Sequence, residues 1–191
     1  MTASLSACAQ PVATISNEPV ANIFASEPVL YQIGLAACKG NAEEAKRLFN
    51  ASKVNINTKF PLNRGGIKEV TVLYWVTGCN NIDGVRALLQ LGADPNMKLG
   101  DDFSSTWHAS GFGGHKELLP LMIEHGGNLN QEDDNGINLL MRAYETGSMD
   151  NFNYLLEKGA DVNYVTSIGV TAIEYVNWDH PVILQLLQHG A

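Results

Sequence analysis

The sequence predicts an all-α fold, a solenoid of about five helix-turn-helix repeats joined by hairpin loops. Three observations predict it. Four segments end on nearly the same phrase: Leu88-Leu89-Gln90-Leu91-Gly92-Ala93-Asp94-Pro95-Asn96, Leu121 to Asn130, Leu155 to Asn163, and Leu186 to Ala191. Their glycines, Gly92, Gly126, Gly159 and Gly190, recur at a nearly fixed period of about 33 residues. A unit that short cannot bury its own apolar face, so it must stack on copies of itself.

The elements follow in chain order. Residues 9–25 are rich in Ala, Pro, Ser, Thr and Asn and show no helical period, so they read as a flexible tether. The repeat domain spans 26–191. Ser26 and Pro28 suit the cap and first turn of its opening helix, which runs through Tyr31-Gln32-Ile33-Gly34-Leu35-Ala36-Ala37-Cys38. That unit continues through Leu48-Phe49 to Val54-Asn55-Ile56-Asn57. An equal count back from Gly92, Gly126 and Gly159 reaches Thr71, Ser105 and Asn138. With Thr171 these are good N-caps, because their side-chain oxygens accept the orphan N–H groups of a new helix. Gly92, Gly126 and Gly159 suit the C′ position, where φ is positive. Ala36, Ala37, Ala109 and Ala143 let paired helices approach closely. The first and second units are separated by a longer connection than the others, within Pro61-Leu62-Asn63-Arg64-Gly65-Gly66-Ile67-Lys68. This insertion is a candidate contact carrying Phe60 and Arg64.

These residues resemble the ankyrin repeat, whose pattern here is T-P-L-H-x-A-A-x-x-G-H. Ser105-Thr106-Trp107-His108-Ala109-Ser110-Gly111 comes closest, followed by Gly114-His115. His108 keeps the family histidine, and no repeat keeps the proline. The resemblance implies structural roles for His108 and His115, a core position for Trp107, and a turn-bracing role for Asp133. It leaves Trp75 open between core and surface.

Composition narrows the function classes. The chain has 191 residues, 45% of them apolar, and a net charge of −8. No basic stripe exists to neutralise phosphates, which argues against nucleic acid as a partner. Leu5-Ser6-Ala7-Cys8-Ala9-Gln10 is similar to a bacterial lipobox. That resemblance implies that residues 1–8 end a lipoprotein signal peptide and that Cys8 carries the lipid. It further implies the periplasm of a Gram-negative bacterium, at the outer membrane because Ala9 follows the cysteine. The alternative is a cytoplasmic chain whose small-residue start matches by chance. Cys38 and Cys79 occupy corresponding loops of neighbouring repeats. A disulfide and two reduced thiols both stay open there.

The sequence offers little catalytic chemistry. H-E-x-x-H, C-x-x-C, P-loop and G-x-S-x-G patterns are absent. Gly111-Phe112-Gly113-Gly114 follows a helix and reads as an inter-helix turn. Neither a metal site nor a cofactor is expected. The acidic runs Asp101-Asp102 and Glu132-Asp133-Asp134 fall in hairpin loops. They read either as solvated turns or as an edge that meets a basic partner.

The ankyrin resemblance implies binding through hairpin tips and the exposed face of each first helix. In the third repeat those positions are Leu99, Asp101, Asp102, Ser104 and Phe112. In the fourth they are Glu132, Asp134, Asn135, Ile137 and Glu145, and in the fifth Val165, Ser167, Ile168, Val170 and Trp178. Acid mixed with apolar and aromatic anchors is what a protein-binding hot spot needs. Small ankyrin lipoproteins resemble immunity proteins against secreted toxic effectors, notably phospholipase effectors of type VI secretion. The expected role is therefore non-enzymatic: a protein that occludes such an effector. The alternative is a periplasmic scaffold or maintenance factor for a resident enzyme.

Overall fold

A computed structural model describes residues 14–15, 18–64, 67–79, 81–100, 103–111, 116–176 and 179–191. Two compact units divide at Gly100 and Asp101. Both are built of helix pairs, as the all-α ankyrin solenoid requires.

In the first unit, strands β1 (Thr14–Ile15) and β2 (Glu18–Pro19) pair antiparallel and lead into a short helix α1 (Val20–Ile23). The expected tether is therefore folded where it is described. Val20, Ile23 and Phe24 are buried and stand at the i, i+3, i+4 spacing of one helical face. That short period was hidden within a polar, proline-containing stretch. The first repeat pairs α2 (Pro28–Cys38) with α3 (Ala42–Asn50). Pro28 starts α2 as expected, but the cap is Glu27 instead of Ser26 and makes no side-chain bond. The second repeat pairs α4 (Val72–Thr77) with α5 (Ile82–Gln90). Thr71 caps α4 by accepting from the Tyr74 N–H at 3.3 Å.

The insertion between these repeats is a β-hairpin, β3 (Phe60–Arg64) with β4 (Ile67–Val70). It corrects the expectation of a contact loop at Phe60. That side chain is 2% exposed and lies 4.4 Å, centroid to centroid, from Phe24. Trp75 joins the same cluster, 5.3 Å from Phe24 and stacked at 5.7 Å on Tyr31. The ring fits because residue 34 is glycine. A Cβ there would sit 2.2 Å from Trp75 Cζ3. Trp75, left open by its sequence position, is thus core.

Helix α5 approaches α2 so closely that a Cβ on Gly84 would meet the Ala37 carbonyl oxygen at 2.1 Å. Beside this contact Cys38 and Cys79 form a disulfide, with Cα atoms 5.2 Å apart. The bridge ties the first helix of one repeat to the end of the first helix of the next.

The second unit holds three helix pairs: α6 (Ser105–Ser110) with α7 (Leu118–Glu124), α8 (Leu139–Glu145) with α9 (Met149–Glu157), and α10 (Ala172–Tyr175) with α11 (His180–Gln188). Asn138 caps α8, accepting from the Met141 N–H at 3.0 Å. The cap of α6 is Ser104, one position before the expected Ser105. Counting back from Gly126 stops short of it because the stretch from cap to glycine is longer by one position here than in the neighbouring repeats. At the position equivalent to Gly84 stands Asn151. Its buried Nδ2 donates to the carbonyls of Ala109 at 3.1 Å and Ser110 at 3.0 Å. The side-chain amide satisfies helix-end carbonyls that α6 cannot satisfy itself.

Asparagines that close the recurring phrase clamp one repeat to the next. Asn57 Nδ2 donates to the Gly92 carbonyl at 3.0 Å, while its Oδ1 accepts from the Asp94 N–H at 2.8 Å. Asn130 Oδ1 accepts from the Asp161 N–H at 3.1 Å, and Asn163 Nδ2 donates to the Gly190 carbonyl at 2.8 Å.

Two outcomes follow for the first unit. Gly84→Ala forces backbone apart and should cost about 1–3 kcal/mol in urea unfolding, the range for overpacked sites. Reduction of the disulfide, whose cysteines lie 41 residues apart, should cost about 4 kcal/mol by loop-closure entropy. Unfolding with and without a reductant checks this. A midpoint that reduction leaves unmoved would show the bridge to be energetically idle.

Candidate interaction surface

The second unit presents two hairpin tips side by side, and both are built the same way. In residues 131–137 the buried Asp133 carboxylate accepts from the N–H groups of Asn135 at 3.0 Å and Ile137 at 2.8 Å. In residues 164–170 the buried Thr166 takes the equivalent place. Its hydroxyl lies 3.0 Å from the Val170 carbonyl and 3.3 Å from the Val170 N–H. Gly136 and Gly169 turn the tips with φ of 73° and 79°.

The tips are also joined to each other. Both Glu132 carboxylate oxygens accept from the Ser167 N–H, at 3.2 and 3.1 Å. Ile168 lies across Gly136, where a Cβ would meet its Cγ1 at 2.6 Å. Even so, Ile168 is 56% exposed and Val165 is 61% exposed. These two side chains stand out from a braced base, with Asp134, Asn135 and Ser167 exposed around them.

Behind the tips runs a row of side chains from the first helices. Phe103 packs on Trp107 at 4.6 Å, and the Arg142 guanidinium lies over the same indole at 4.6 Å. Arg142 pairs with Glu145 at 3.1 Å, while its buried Nε meets no acceptor among the described residues. The Trp107 Nε1–H donates to the Ile137 carbonyl at 2.9 Å, which anchors the row to the tip. Tyr175 stands at the end of α10. Burial first, then the charges of Glu145 and Asp133, push its phenol above the usual range against the opposing pull of Arg142.

Several expected contact residues turn inward. Leu99 is fully buried, and its carbonyl accepts from the Glu69 N–H at 3.2 Å. Ser104 is fully buried as the α6 cap, accepting from the Trp107 N–H at 3.1 Å and donating to Gln131 Oε1. Its hydroxyl cannot serve helix and partner together. Ile137 and Val170 are half-buried, and their carbonyls close the two tips. Arg64 ends β3 in the hairpin of the other unit. Cys8, Asp101, Asp102, Phe112, His115 and Trp178 lie outside the described residues. Sequence reasoning missed Phe103, Arg142 and Tyr175. Arg142 and Tyr175 each stand four residues after a cap, a signal that was available. His108 shares that position once the cap is set at Ser104.

Residues 102–191 match the family model described as ankyrin repeats, in three copies. The chain carries ankyrin repeats. It is similar to Palmitoyltransferase AKR1 of Lachancea kluyveri, 23% identical over 82% of this chain and 22% of that protein. Protein PhlB of Serratia liquefaciens is 31% identical over 61% of this chain and 51% of its own length. A putative ankyrin repeat protein of Borreliella burgdorferi is 33% identical over 44% of this chain and 37% of its own. The chain thus spans from about a fifth to about half the length of these relatives. Ankyrin repeats make it a protein-interaction module. Among the described residues no helix is long and apolar enough to cross a membrane, and no three His, Cys, Asp or Glu side chains gather as a metal site would.

One ankyrin position carries a pH signature. Burial, with the Arg142 charge second, pushes the His108 imidazole down from 6.5 to about 4. Between those values the unfolded chain binds a proton that the folded chain refuses, so acidification favours unfolding. The contribution is whole above the unfolded value of 6.5 and lost as pH falls toward about 4. At about 1.4 kcal/mol per unit its ceiling is about 3 kcal/mol. His108→Gln should therefore flatten the fall in urea midpoint across this interval. Equal slopes for variant and wild type would remove His108 as the cause.

Proposed function

We propose that this protein is a non-enzymatic inhibitor that docks on a secreted toxic enzyme, such as a phospholipase effector, and occludes its substrate entry. One observation carries the reading. Val165 and Ile168 project from interlocked tips in a strongly acidic unit. Residues 101–191 hold 13 Asp and Glu against 3 Lys and Arg, a net charge of −10, where residues 1–100 hold 7 against 9. Such a surface suits a partner with a basic rim around an apolar entrance, and opposite potentials speed encounter. The bracing by Asp133, Thr166 and Glu132 leaves little conformational freedom to lose on docking. Arg142, Trp107 and Tyr175 are residue types that dominate binding energy elsewhere.

The compartment in this reading is the periplasm. The Cys38–Cys79 bridge supports it, since disulfides persist in oxidising compartments. The lipobox-like run at Cys8 would hold the inhibitor at the outer membrane, in the path of an incoming lipase.

Co-expression with a toxic lipase encoded beside this gene should protect cells, and the two proteins should co-purify from periplasm. Val165→Asp with Ile168→Asp should weaken that complex by at least tenfold, about 1.4 kcal/mol, in titration calorimetry. Neither protection nor a complex would sink the inhibitor reading. A full-strength complex with the double variant would move the contact away from the tips.

A further inference from the structure

Among the described residues, the large apolar side chains left exposed are Val165, Ile168, Leu184 and Leu187. All four belong to the last repeat. The first pair stands on the hairpin tip. The second pair stands elsewhere, on helix α11, and has nothing to do with the tips.

Helix α11 is apolar on two sides. Val182 and Leu186 are buried against the unit. On the opposite side His180, Leu184 and Leu187 fall at the i, i+4, i+7 spacing of one helical stripe, with Pro181 and Gln188 beside them. Leu184 is 60% exposed and Leu187 is 50% exposed. Stacked repeats cover such a face with the next repeat, and a terminal face is ordinarily polar. Here it is not.

The electrostatics select the occupant. From His180 to Ala191 the chain has no Lys, Arg, Asp or Glu side chain, in a unit that carries a net −10. A basic partner gains nothing from this stripe and is drawn to the acidic tips instead. Two copies of the unit repel each other over most of their surface. The charge-free stripe is where that repulsion is smallest. A shared apolar patch of this kind is self-complementary, as a two-fold contact requires.

We infer that the outer face of α11, through Leu184 and Leu187, is a self-association surface that pairs with the same face of a second copy about a two-fold axis. Leu184 lies mid-helix and so faces its own copy near the axis. Two helices of this length, His180–Gln188 in each copy, form a contact below the usual size of a stable interface, so the association is weak and concentration-dependent. It leaves the hairpin tips free. Inhibition and self-association are therefore separable.

Sedimentation of the full chain across micromolar to submillimolar concentrations tests this. The weight-average mass should rise from that of one chain toward two. Leu184→Glu and Leu184→Lys, each alone, should stay at the mass of one chain, because like charges then face each other across the axis. Circular dichroism should show both folded, since the position is exposed. Mixing the two variants should restore the rise, by placing Glu opposite Lys. The inference is overturned by any of three results: a wild type that stays at one chain's mass throughout, a single variant that still associates as wild type does, or a mixture that does not recover. Binding to the lipase should be unchanged in both variants, so this outcome and that of the inhibitor reading are read independently.

Discussion

The fold depends on a side-chain amide. A repeat this short gains stability only by lying on its neighbour, and apolar contact alone does not set how far along it lies. The asparagine that closes the recurring phrase sets it. Asn57, Asn130 and Asn163 each reach the turn after the helix-ending glycine of the following repeat. A slip of one residue would leave both amide and turn without partners. The glycine matters here as well, because its positive φ presents the carbonyl or the next N–H to that amide.

Within each unit the second helix of one repeat must pack behind the first helix of its predecessor, and two local solutions serve that need. Gly84 removes a side chain so that α5 lies directly on the Ala37 carbonyl, and the Cys38–Cys79 bond closes the same seam. Asn151 keeps a side chain and uses it to cap the α6 carbonyls. The first solution relies on shape and a covalent tie, the second on hydrogen bonds at low dielectric, where a satisfied amide is worth most. The aromatic cluster of Phe24, Phe60, Tyr31 and Trp75 belongs to the first solution, since it fills the space that Gly34 leaves.

The surface follows from the same constraint. Atoms that brace a tip are not available to a partner. Asp133, Thr166, Ser104 and the carbonyls of Ile137 and Val170 are engaged inside, which is why a polar stretch of sequence yields few contact groups. What remains outside is a small apolar pair on a rigid base, with the Trp107–Arg142–Glu145 row behind it.

By itself the sequence determined the repeat, its period, the caps at Thr71 and Asn138, the turn role of Asp133 and the exposure of Val165 and Ile168. Each rests on short-range chemistry: a cap bonds three positions on, a tip aspartate two to four, and a helix-ending glycine needs only its own φ. Tertiary structure alone decided the rest. Phe60 and Leu99 have the composition of contact residues, yet they are buried, because a hairpin and a distant N–H cover them. Ser104 replaced Ser105 because an inter-helix segment longer by one position shifted the count. Phe103, Arg142 and Tyr175 became one row only when helices from three repeats were laid side by side. No local period records that kind of neighbourhood, since each member belongs to a different repeat.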